Sequence, residues 1–123
     1  MRILVVDDNG DLRETLQLLL QHAGYQAETA RDGHEALRKH RLNAYQVLLT
    51  DIYMPLSDGL ETIQAFRRET PGMRIIAMSG GGDFAKGRYL GVASVAGADA
   101  TLEKPFAFES LVAALKKDGN GAT

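Results

Sequence analysis

The chain has 123 residues, enough for one ordinary domain with a real core and too few for several. Hydrophobic residues make up 45% and charged residues 24%, a globular balance that excludes disordered and fibrous classes. A formal net charge of −2 gives no basic surplus for a phosphate backbone, so no direct nucleic-acid partner is expected. With no cysteine there are no disulfides, zinc–thiolate sites or thiol catalysis, and a reducing, cytoplasmic setting is the expectation.

The apolar runs are only a few residues long, and residues 1–6 lead into carboxylates, so neither membrane spanning nor secretion is expected. Ile3, Leu4, Val5 and Val6 form a short β-branched run stopped by Asp7 and Asp8, which predicts a strand buried on both faces. Leu12, Leu16, Leu19, Leu20 and Ala23 recur at helical spacing behind the cap candidates Asp8 and Asn9, with Gly24 placed as terminator. A weaker strand follows over residues 25–30, then a helix near Gly33–Leu42, a strand at Val47, Leu48 and Leu49, and a helix around Leu60, Ile63 and Phe66.

Pro71 and Gly72 punctuate the chain before the strand at residues 75–78. Gly80, Gly81 and Gly82 then open a loop toward a helix containing Tyr89, Val92, Ala93 and Ala96. A short strand over residues 100–102 precedes Phe108, Leu111, Val112 and Leu115 at i, i+3, i+4, i+7, the last helix, and residues 118–123 read as a polar tail. Five strands alternating with five helices predict an α/β fold with a parallel sheet and helices on both faces.

In such sheets ligands bind beyond the carboxyl ends of the strands, where this sequence places Asp7, Asp8, Asp51, Ser79 and Lys104. Three carboxylates held together repel one another unless a cation sits among them, and Lys104 alone does not balance three. Oxygen donors without His or Cys suit a hard cation, so the metal expected is Mg2+ (or Mn2+). An acidic metal site with one ammonium and one hydroxyl suggests phosphoryl transfer to an aspartate. Taken singly, each residue has a plainer reading: the aspartates as helix caps, Ser79 as a turn former, Lys104 as a solvated charge. His22, His34 and His40 lie on predicted helices without a ligand partner and read as surface residues. The three glycines lack the spacing and lysine of a phosphate-cradling loop.

From Arg2 to about Lys117 the chain resembles the receiver domain of bacterial response regulators. The acidic pair appears as Val6-Asp7-Asp8-Asn9, and the phosphoacceptor motif as Leu49-Thr50-Asp51-Ile52-Tyr53-Met54-Pro55-Leu56-Ser57-Asp58-Gly59. The hydroxyl position looks like Ser79 in Ala77-Met78-Ser79-Gly80, and the lysine before a cis proline looks like Lys104-Pro105-Phe106. The resemblance implies a receiver over residues 1–117, of strand order 2-1-3-4-5. It implies a signalling switch, not an enzyme beyond its own phosphorylation and slow dephosphorylation.

It also implies that Asp51 attacks the phosphohistidine of a histidine kinase or phosphotransfer protein, with the metal held by Asp8, Asp51 and the Tyr53 carbonyl. Asp7 would act mainly through water. Ser79 and Lys104 would engage the phosphoryl group, and Gly80 would leave room for its donor. A downstream protein would dock on the face of the fourth helix, fifth strand and fifth helix. The sequence departs from the family at Thr101, where better-known members carry an aromatic switch, and at Tyr53, larger than usual and expected to shield the acyl phosphate from water.

The residues also bear on three rival readings. An FMN carrier of flavodoxin type needs a phosphate loop where Asp7 and Asp8 stand, and a phosphatase of haloacid dehalogenase type needs an acid where Tyr53 stands. A degenerate receiver that only binds partners is disfavoured by the complete set of five site residues. Whether the chain works alone or within a larger regulator stays open.

Overall fold

The computed structural model describes residues 1–54, 57–79 and 96–116. β1 (Arg2–Val6), β2 (Gln26–Ala30), β3 (Val47–Asp51), β4 (Arg74–Ser79) and β5 (Ala100–Glu103) form one parallel sheet in the order β2-β1-β3-β4-β5. This is the expected 2-1-3-4-5 arrangement. Each parallel pair needs a crossover. Among the described residues these connections carry α1 (Gly10–His22), α2 (Gly33–Leu42) and α3 (Gly59–Glu69), and a C-terminal helix (Phe108–Lys116) follows β5. A two-residue ladder, Tyr53–Met54 against Ser57–Asp58, lies between β3 and α3 and was not expected.

The pleat explains both cores, because successive strand side chains face opposite sides. Ile3, Val5, Leu49, Ile76 and Met78 pack with Leu16 and Leu20 of α1 and Leu111 and Leu115 of the C-terminal helix. Leu4, Val6, Leu48, Ile75 and Ala77 pack with Ala36 of α2 and Ile63 and Phe66 of α3. Each such large apolar side chain contributes about 1.5–3 kcal/mol by leaving water.

Local signals set the helix ends. Asn9 caps α1, its side chain accepting from the Leu12 N–H at 3.1 Å, and Gly24 follows the helix with φ +100. Asp32 caps α2 by accepting from the Glu35 N–H at 2.9 Å.

His40 corrects the surface reading of the histidines: it is 7% exposed. Its Nδ1 accepts the Tyr45 N–H at 3.1 Å, so in the neutral ring Nε2 carries the hydrogen and donates to Thr70 Oγ1 at 2.8 Å. Periodicity counts histidine as polar, whereas here backbone and hydroxyl partners let it pack beside Phe66. The helix expected at Tyr89, Val92 and Ala93, the Gly81–Gly82 loop and the polar tail lie outside the described residues.

Candidate functional site

The candidate residues meet at the carboxyl end of the sheet because the strands stop there in step. β1 ends at Val6, opposite Thr50, Asp51 lies opposite Met78, and Ser79 lies opposite Glu103. The residue after each apolar run therefore projects into a common space.

Asp7 is fully buried and fastened on every polar side. Its N–H donates to the Ala30 carbonyl at 3.3 Å, its Oδ1 accepts from the Asn9 N–H at 2.9 Å, and its Oδ2 accepts from Lys104 Nζ at 2.9 Å. Its own carbonyl accepts from Arg13 Nη1 at 2.7 Å. Asp8, the next residue, is exposed. Asp51 closes β3 and is 6% exposed, with its Oδ2 3.6 Å from Lys104 Nζ.

Lys104 is not the solvated loop charge that its position after β5 would allow. Its ammonium bridges Asp7 and Asp51, and its N–H donates to the Ser79 carbonyl at 2.7 Å. Ser79 is 2% exposed, and the Lys104–Pro105 peptide is cis. Thr101 is half-buried on β5 opposite Ala77, two residues back from the Ser79–Glu103 pair. Tyr53 is placed by its backbone in the short ladder opposite Asp58. Gly80 and the Tyr53 side chain lie outside the described residues.

One carboxylate oxygen each from Asp7, Asp8 and Asp51 lies within 4.8 Å of the others. Three clustered acids, two of them against the Lys104 ammonium and with neither His nor Cys among them, offer the donor set of a hard divalent cation, so the residues fit Mg2+. A divalent cation held there would relieve repulsion that Lys104 cannot relieve alone.

Two contributors escaped the reading of the sequence. Gly59 looked like part of a motif, but its requirement is steric: a Cβ there would sit 2.4 Å from the carbonyl oxygens of both Asp51 and Ile52. Arg13 gave only a weak signal, a cation on the first turn after an acidic pair. Thr50 Oγ1 also donates to the Asp51 carbonyl at 3.0 Å.

Known proteins share this sequence pattern and fold. The family model described as response regulator receiver domain matches residues 3–116. Response regulator MprA of Mycobacterium avium (strain 104) is 40% identical over 116 residues, covering 94% of this chain and 50% of the relative. MprA of Mycobacterium leprae (strain TN) is 39% identical with the same coverage. The chain thus spans about half the length of the curated relatives it matches. Among solved structures, the receiver domain of NtrX from Brucella abortus superposes with TM-score 0.85 at 29% identity, covering 94% of this chain and 95% of that one. Response regulator TrrA from Thermotoga maritima, solved in complex with Mg2+–BeF, gives TM-score 0.82 at 38% identity over 94% of this chain and 96% of that one. With the matched family model, the sheet order and the strand-end acids in agreement, the chain belongs to the response regulator receiver domains of two-component systems.

Proposed function

We propose that this receiver is a phosphorylation switch whose acceptor is Asp51. The observation that carries the reading is the Lys104 ammonium held between Asp7 and Asp51 at the mouth of a three-carboxylate cluster. An Asp51 carboxylate oxygen attacks the phosphorus of a phosphohistidine on a sensor kinase or phosphotransfer protein. The O–P bond forms, the P–N bond breaks, and the imidazole leaves with the electron pair.

Asp8, Asp51 and the Tyr53 carbonyl, with Asp7 acting mainly through water, would hold Mg2+ (or Mn2+), which would supply positive charge for the phosphoryl oxygens. Lys104 supplies a second positive charge from a fixed backbone position, since its N–H is tied to Ser79. The Ser79 hydroxyl would donate to a phosphoryl oxygen. A phosphoryl group adds about −1.5 to −2 charge and strong acceptors, enough to draw Ser79 and the following segment inward and bias a two-state surface.

The output in this reading is protein docking on the face of β5 and its flanking helices, with residues 1–117 as the receiver unit. Thr101 leaves that face without the aromatic switch of better-known members, and Tyr53 lengthens the phosphoryl lifetime by shielding it. The half-length match to MprA favours a second setting, a receiver working within a longer regulator by the same chemistry. No helix among the described residues is long and apolar enough to cross a membrane. The formal charge of −2 favours protein over nucleic-acid contacts, and the cysteine-free composition suits the cytoplasm.

The test is to incubate the chain with Mg2+ and acetyl phosphate and follow intact mass. A phosphoryl adduct that requires metal and vanishes in Asp51→Asn is expected. An equal adduct in Asp51→Asn, or none in a parent that also ignores beryllofluoride, overturns the assignment.

A further inference from the structure

Asp7 and Asp8 are adjacent in sequence yet differ in how they are held. Asp7 is buried with its N–H, both carboxylate oxygens and its carbonyl all engaged, whereas Asp8 is exposed. The peptide joining them is the last piece of backbone that aims Asp8 at the cluster. Its carbonyl, that of Asp7, lies beyond the end of the β1 ladder and takes its bond from Arg13 instead.

Arg13 reaches that carbonyl from the first turn of α1. Asn9 caps the helix, the Arg13 N–H donates to the Asn9 carbonyl at 3.0 Å, and the side chain turns back to place Nη1 2.7 Å from the Asp7 oxygen. The guanidinium passes over Gly10, where a Cβ would lie 3.5 Å from Nη2. It is partly buried, so the bond is less open to solvent competition than one on the surface. A guanidinium donor to a carbonyl is charge-assisted and directional.

We propose that Arg13 is a positioning residue of the metal site: by clamping the Asp7 carbonyl it fixes the Asp7–Asp8 peptide and thereby the aim of the Asp8 carboxylate. It also sets a fixed positive charge behind the acids without occupying a carboxylate oxygen the cation needs. The proposal rests on the metal-site reading above. Arg13 touches neither phosphoryl group nor metal, so its effect falls on how tightly the cation binds and not on the rate once the site is filled.

The experiment titrates Mg2+ into the parent, Arg13→Met and Arg13→Lys, following backbone amide shifts of Asp7, Asp8 and Asp51, and measures adduct formation from acetyl phosphate across the same metal range. Loss of a partner that orients a metal ligand weakens binding by roughly 10–100-fold, and Arg13→Met is expected toward the lower end. Arg13→Lys, which keeps a charged donor, restores part of that loss. At saturating Mg2+ all three chains form adduct at comparable rates. A merely structural role would lower thermal stability and leave the Mg2+ dependence where it was. Mg2+ binding by Arg13→Met equal to the parent's, or no recovery in Arg13→Lys, overturns the proposal. Should Arg13→Met fail to fold, Arg13→Gln replaces it under the same outcomes. A parent that binds no Mg2+ would instead overturn the metal-site reading, and the positioning role with it.

Discussion

The charged groups at the amino end of the sheet and those of the Asp7–Asp8–Asp51 cluster at its carboxyl end are used in opposite ways. At the amino end, charges come in matched pairs that close on themselves: Arg2 with Glu28, Arg41 with Glu69, Arg67 with Asp99. The Tyr45 hydroxyl donates to Glu28 at 2.6 Å and holds that carboxyl below its usual range, while burial and Glu28 together push the Tyr45 phenol up to about 12. Arg67 donates to the carbonyls of Pro71, Met73 and Gly97, and Asp99 in turn accepts the Ile75 N–H at 2.7 Å. At the carboxyl end three carboxylates cluster, and one ammonium, that of Lys104, reaches two of them, Asp7 and Asp51. The first arrangement joins loops to the sheet and has no call for a ligand. The second carries more negative than positive charge, an imbalance that a divalent cation would offset.

This contrast can be broken at either end, with different consequences. Gly59→Ala should have the largest effect, because the added Cβ meets two backbone carbonyls that cannot swing away. A loss of about 3 kcal/mol or more in urea unfolding is expected, and because one of those carbonyls belongs to Asp51, phosphoryl uptake should fall in whatever fraction remains folded.

Arg67→Met attacks the other end, removing bonds to three carbonyls and the partner of Asp99. About 2 kcal/mol is expected, tempered by partial solvent exposure, with uptake of phosphate by the folded chain unchanged. Reduced uptake at equal folded fraction would show that the two ends are coupled.

The smallest effect concerns pH. Burial holds the His40 imidazole below its ordinary value of 6.5, with Glu69 opposing and Arg41 adding to that shift. The unfolded chain therefore takes up a proton on this ring before the folded one does. Its contribution is complete above pH 6.5 and is lost as pH falls toward the depressed folded value. Urea midpoints from pH 7.5 to 5 should drop more steeply for the parent than for His40→Gln. Parallel curves would remove His40 from the amino-end network.

The features that could be read in sequence were those written in short range. Apolar runs ending near Asp7, Asp51 and Ser79 mark both the strands and the candidate site, since a strand's end and the residue projecting beyond it are neighbours in the chain. The caps at Asn9 and Asp32 and the terminator at Gly24 are equally local. What escaped depends on partners brought near by folding. Gly59 is required by carbonyls seven and eight residues back, and Arg67 reaches Gly97 across 30 positions. His40 was misread because a polar residue on an amphipathic helix says nothing of the Tyr45 amide that covers it.

The most direct test of the account follows backbone amide shifts on adding Mg2+ and beryllofluoride to the parent and to Asp51→Asn. The account predicts large shifts at Asp7, Asp8, Asp51, Ser79 and Lys104, little change at His40, Tyr45 and Asp99, and no beryllofluoride response in Asp51→Asn. A parent that does not respond, or a variant that responds like the parent, would contradict Asp51 as the phosphoacceptor.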